Sequence, residues 1–133
     1  MKRRFKITMS ERCFRFKPDA LEPHAPRAPG VYEFVTFDAR LQPEVLYVGV
    51  ASPETLYEAL ASHLIGTRRP SKDDLFNAAK DIYFAYVASS DAASREDLQD
   101  IAGSLASKHK PRLNPEGSPA FTGRFAEVEL IET

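Results

Sequence analysis

Between Pro29 and Pro115 the spacing of apolar positions changes several times, and each change marks an element. Val31 to Phe37 and Val45 to Ala51 are rich in branched and aromatic residues, which predicts two strands. A turn over Asp38 to Pro43 joins them, short enough for an antiparallel hairpin. Leu56, Leu60, His63 and Leu64 then recur at i, i+4, i+7 and i+8, the spacing of one helical face. Ser52 supplies a cap for that helix, Pro53 suits its first position, Glu54 complements its dipole and Gly66 stops it. Residues 73–80 predict a short helix, and Asp81 to Val87 has the strongest β character in the chain. Leu98, Ile101, Ala102, Leu105 and Ala106 form a second helical stripe. Ser94 with Asp97 opens it as a capping box with the shorter acid, and Pro111 closes it.

The ends are less regular. Residues 1–17 alternate weakly through Phe5, Ile7, Phe14 and Phe16, which predicts one or two short strands. Prolines 18, 23, 26 and 29 make residues 18–30 an extended connector. Phe125 to Ile131 alternates again and predicts a last strand. The order is β-β-α-α-β-α-β with an added N-terminal strand, a single α+β domain over residues 1–133 with a small sheet flanked by helices.

Charge changes this picture little. Eighteen basic residues against nineteen acidic ones leave a formal charge of -1, which argues against a strongly cationic nucleic-acid binder. Local clusters remain at Lys2-Arg3-Arg4, at Arg68-Arg69 with Lys72, and at Lys108, Lys110 and Arg112. The single cysteine, Cys13, has no intrachain partner and fits a reducing compartment; Phe14 and Phe16 nearby make it a small packed residue. No run approaches the ~18 apolar residues that span a bilayer, and no signal-peptide pattern is evident, so the expected location is cytoplasmic. Met1 and Met9 are both possible starts. His24, His63, His109 and Cys13 lack ligand spacing, so no zinc site is expected. No Gly-rich phosphate loop and no serine or cysteine nucleophile motif is present.

Three segments carry more specific information: Gly30-Val31-Tyr32, Tyr47-Val48-Gly49 and Lys110-Pro111-Arg112-Leu113-Asn114. In this order they resemble the GIY-YIG nuclease domain found in excinuclease and in homing endonucleases. The resemblance covers residues 29–115, with 1–28 and 116–133 as N- and C-terminal additions. It implies a mainly antiparallel, three-stranded sheet with helices around it, extended by the terminal strands. It also implies that Tyr32 and Tyr47 point into a common site, that Gly49 closes the second motif, and that His63 and Asn114 belong to the same remnant. Each has a plainer reading: Tyr32 and Tyr47 as packed aromatics, Gly49 as a strand-end bulge, His63 as a core residue and Asn114 as a turn residue.

Two positions depart from the family. Its helical arginine falls on Ala59, four residues before His63, and its metal-holding glutamate falls on Ala102. Asp100 lies about 200° around the helix from Ala102, and Gln99 is neutral. Cleavage of a phosphodiester needs charge stabilisation that neither alanine supplies. The expectation is therefore a non-catalytic module that binds DNA or RNA without metal or cofactor, with Arg68, Arg69, Lys110 and Arg112 as phosphate contacts. Two alternatives stand beside it. One is a protein-interaction module using Phe121 and the acidic C-terminal strand. The other is a Mg2+-dependent endonuclease whose carboxylate has moved to Glu33, Glu58, Glu127 or Glu129 and whose guanidinium has moved to Arg68 or Arg69.

Overall fold

The computed structural model describes residues 1–10, 12–89 and 91–132. Among these, the elements follow in the order β1 (Lys2–Met9), β2 (Phe14–Arg15), α1 (Pro18–His24), β3 (Gly30–Phe37), β4 (Pro43–Ala51), α2 (Leu56–Ile65), α3 (Lys72–Ala78), β5 (Tyr83–Ala88), α4 (Arg95–His109) and β6 (Glu127–Glu132). One sheet runs β4-β3-β5-β1-β6, and β2 also pairs with β5. The β4–β3, β3–β5 and β5–β1 pairs are antiparallel. The β1–β6 pair is parallel, from Lys2 opposite Glu127 to Ile7 opposite Glu132. The sheet is therefore mixed, where a mainly antiparallel one was expected. α4 and the segment 110–126 connect β5 to β6 across β1, and β6 there runs opposite to β5 and alongside β1.

Local chemistry explains where elements begin. Residues 18–30 are not wholly an extended connector, because Pro18 opens α1, where its missing N–H costs nothing, and Leu21 is buried. Ser52-Pro53 does not start α2. Thr55 is its N-cap, accepting from the Glu58 N–H while the Glu58 carboxylate accepts from the Thr55 N–H. That reciprocal pair satisfies two otherwise orphaned donors, which a lone serine cannot do. Gly66 ends α2 in the left-handed region at φ 97°. Ser71 and Asp74 repeat the reciprocal cap on α3. On α4, Ser94 accepts from the Asp97 N–H, but the Asp97 carboxylate takes the Ala93 N–H instead of closing the box.

Strand alternation splits the interior in two. Tyr32, Phe34, Tyr47 and Phe84 face one side of the sheet with Leu21, Ala59, Leu60 and Leu75 of α1–α3. Val31, Val48 and Val87 face the other with Phe5 and Ile7 of β1 and Ile101, Ala102 and Leu105 of α4. The β3–β4 register slips at Leu46, since Phe34 pairs with Tyr47 but Val35 pairs with Val45. The C-terminal segment is fastened to α4. The buried Asp100 carboxylate accepts from the Thr122 N–H and hydroxyl and from Arg124, which also reaches Asp97. Phe121 lies against Gly103, where an added Cβ would stand 3.2 Å from its ring.

Candidate functional site

The two motif tyrosines do converge. Tyr32 stands opposite Gly49 in the hairpin, and its ring lies over that glycine: a Cβ at residue 49 would sit 2.4 Å from Tyr32 Cζ. Gly49 is inside β4 and away from the bulge at Leu46, so its role is to admit this ring. Tyr47 lies beside Tyr32, with ring centroids 6.3 Å apart, and is half-buried where Tyr32 is only 1% exposed.

His63, brought in by α2, is fully buried against both phenols and Phe34. Its Nδ1 is 2.8 Å from the Pro70 carbonyl oxygen, and its Nε2 is 2.6 Å from the Tyr32 hydroxyl. A carbonyl can only accept, so Nδ1 carries the proton and Nε2 accepts from the phenol. Burial holds the imidazole at a pKa of about 4, with the Arg68 charge pressing the same way against the Pro70 bond. It is neutral at pH 7. Burial, reinforced by Tyr47, pushes the Tyr32 phenol well above its ordinary value.

Arg68 completes the cluster from the loop after α2. Its guanidinium lies near enough to Tyr32 for its charge to act on the phenol, it pairs with Glu54 at 3.1 Å, and its side chain is 31% exposed. The hydrogen bonds run one way: Tyr32 donates to His63, and His63 to Pro70. A partly exposed cation thus stands beside a cluster of buried and half-buried rings. Sequence reasoning missed Glu54, reading it only as a first-turn acid. Its place follows from α2 starting at Leu56, which leaves Glu54 in the link after β4.

The other candidate residues lie elsewhere or are engaged. Ala59 is fully buried beside the phenols, but Ala102 is buried on the opposite side of the sheet, so the two alanines do not flank one centre. Asn114 clips the outer edge of β4. Its Oδ1 accepts from the Val48 N–H at 2.8 Å and its Nδ2 donates to the Val48 carbonyl at 2.9 Å. Arg112 pairs with Glu44 at 2.9 Å and donates to the Ala78 carbonyl. Lys110 is the exposed left-handed cap of α4, and Arg69 is exposed. Of the candidate carboxylates, Glu58 caps α2, Glu127 and Glu129 pair with Lys2, and Glu33 lies on the α4 side of the sheet. Among the described residues, no three His, Cys, Asp or Glu side chains are grouped to hold a metal ion. No helix among them is long and apolar enough to cross a membrane.

The sequence matches no protein-family model and no curated protein, and the fold matches no solved structure.

Proposed function

We propose that this chain is a GIY-YIG-like domain that no longer cleaves phosphodiesters and binds the phosphate backbone of DNA or RNA at the mouth of its phenol cluster. The observation that carries the reading is Arg68. The helical position expected to hold a guanidinium is filled by Ala59, yet the loop after that helix brings the charge of Arg68 to act on Tyr32 and on the neighbouring Tyr47. Two phenols, a histidine and an arginine are thereby gathered on one face of an antiparallel hairpin whose third strand, β5, is also antiparallel.

The chemistry of the cluster favours binding over catalysis. The phenol is held in its protonated form, and its O–H is already engaged in a hydrogen bond to a neutral imidazole whose other nitrogen bonds the Pro70 carbonyl. The exposed edge of Arg68 and the neighbouring Arg69 are the groups left to meet a phosphate, with Tyr47 as an adjacent half-buried ring. Fluorescence anisotropy with a labelled DNA duplex and a labelled RNA single strand at low ionic strength tests this. Binding that weakens steadily with salt supports the reading, and no binding to either probe rejects it.

One observation favours a second reading. Glu54 is a carboxylate beside the phenols and the guanidinium, so the site contains the residue types of a metal-assisted nuclease in new positions. Plasmid nicking in Mg2+ or Mn2+ that disappears in Glu54→Gln would establish it, while an uncut plasmid leaves the binding reading in place.

A further inference from the structure

On the other side of the sheet, α4, β6 and the start of β4 enclose a cavity of about 540 Å3, within the usual range for small-ligand sites. Ile7, Val35, Val45, Leu105 and Leu130 give it an apolar wall. Glu33 projects from the middle of β3 into it, 3% exposed. Its Oε2 has no hydrogen-bond partner among the described residues; His109 Nε2 stands 3.8 Å away, beyond hydrogen-bond range, and burial lowers that imidazole's pKa. A buried carboxylate oxygen left in this state is costly, and native interiors pair the large majority of such groups.

What would satisfy it is set by the surroundings. Glu132 of β6 adds a second carboxylate to the cavity, while the Glu129 carboxylate is taken up by Lys2 and Arg4. Lys108 and Arg12 also line the cavity, yet neither forms an ion pair with Glu33. A donor arriving from outside would complete the oxygen, and an apolar body behind that donor would fill the wall. We propose that this cavity is a binding site for a small organic cation, an ammonium or amidinium on an apolar body, with Glu33 as the anchoring carboxylate.

The site is independent of the phenol cluster, since Glu33 points to the face opposite Tyr32 and Phe34. Benzylammonium is the probe, with benzyl alcohol and benzoate as neutral and anionic counterparts of matched size. Titration of the full chain at pH 8, followed by amide chemical shifts, should move Val35, Ala85 and Leu105 with benzylammonium. Affinity for benzyl alcohol should be at least tenfold weaker, and benzoate should not bind. Glu33→Gln keeps the shape of the side chain and should lower benzylammonium affinity at least tenfold, while circular dichroism confirms that it is folded. No shift at those amides, equal affinity for the alcohol, or unchanged binding by folded Glu33→Gln each overturns the proposal. Should the glutamine variant fail to fold, Val45→Phe, which fills the cavity from β4, must abolish the benzylammonium shifts; retained shifts in that variant overturn it equally.

Discussion

Gly49 and Tyr32 face each other across the β3–β4 hairpin, and the tyrosine ring occupies the space that any side chain at residue 49 would need. The contact is with the ring and hydroxyl, at 2.4 and 2.5 Å from the missing Cβ, so relief requires moving a buried aromatic that is also hydrogen-bonded to His63. Gly49→Ala should therefore destabilise the fold by about 2–4 kcal/mol in denaturant unfolding, at or above the usual cost of overpacking. Combined with Tyr32→Leu, the same substitution should cost much less. Additive effects in that double-mutant cycle would mean the two residues are not coupled.

Tyr32 is a structural donor in this account. Tyr32→Phe leaves His63 Nε2 buried without its donor. The expected loss is about 1–3 kcal/mol of stability by chemical denaturation. A variant as stable as the parent would show that the hydroxyl is not held by the imidazole.

Glu33 and His63 give stability opposite pH dependences. Burial raises Glu33 to a pKa of about 7, with Glu132 adding to the rise and Lys108 opposing it. Because the folded form binds the Glu33 proton more tightly, that contribution is complete below the unfolded value near 4.5. It is lost as pH rises through about 7. His63, lowered to about 4, does the reverse, and its contribution is lost as pH falls from about 6.5 towards 4. His109 on α4, itself lowered by burial, and Cys13, raised by burial, also face Glu33. Glu33→Gln removes one of the two opposing dependences. Its stability relative to the parent should increase between pH 4.5 and 7 by up to about 3 kcal/mol and stay level above. Urea unfolding at pH 4.5, 6 and 8 checks this, and a constant difference across the series contradicts it.

Asn114 acts on the sheet, not on a ligand. β4 is an outer strand, and the Asn114 amide supplies both a donor and an acceptor to Val48 as a neighbouring strand would. Asn114→Ala should cost about 1–3 kcal/mol and speed amide hydrogen exchange at Val48. Unchanged exchange there would refute the clip.

Much of the central architecture was legible because its signals are local. The branched runs at Val31 and Val45 and the stripes through Leu60 and Leu105 need only strand and helix periodicity. α1 was hidden because four prolines read as breakers, although Pro18 occupies the one helical position that tolerates it. The parallel β1–β6 pair could not be read at all, since direction depends on a connection of many residues and not on any local pattern. The candidate site divides in the same way. Tyr32, Tyr47 and His63 lie in regular elements, and their convergence was implied by the family resemblance, since period alone cannot bring residues of separate elements together. Arg68 was one of four basic residues with equal claims, and Glu54 was assigned to the wrong element. Both sit in loops whose path is set by tertiary packing. The unpartnered Glu33 oxygen is a property of three elements together, and strand alternation predicts only which face it takes.

The salt dependence of duplex binding by the parent and by Arg68→Ala bears most directly on the proposed role of the phenol cluster. Each phosphate contact contributes about 0.9 to the slope of log affinity against log salt. With Arg68 as such a contact, its removal should weaken binding and lower that slope by about 0.9. Arg4→Ala, at the far end of the sheet and paired with Glu129, should leave it unchanged. Equal slopes for the parent and a folded Arg68→Ala protein would contradict the account.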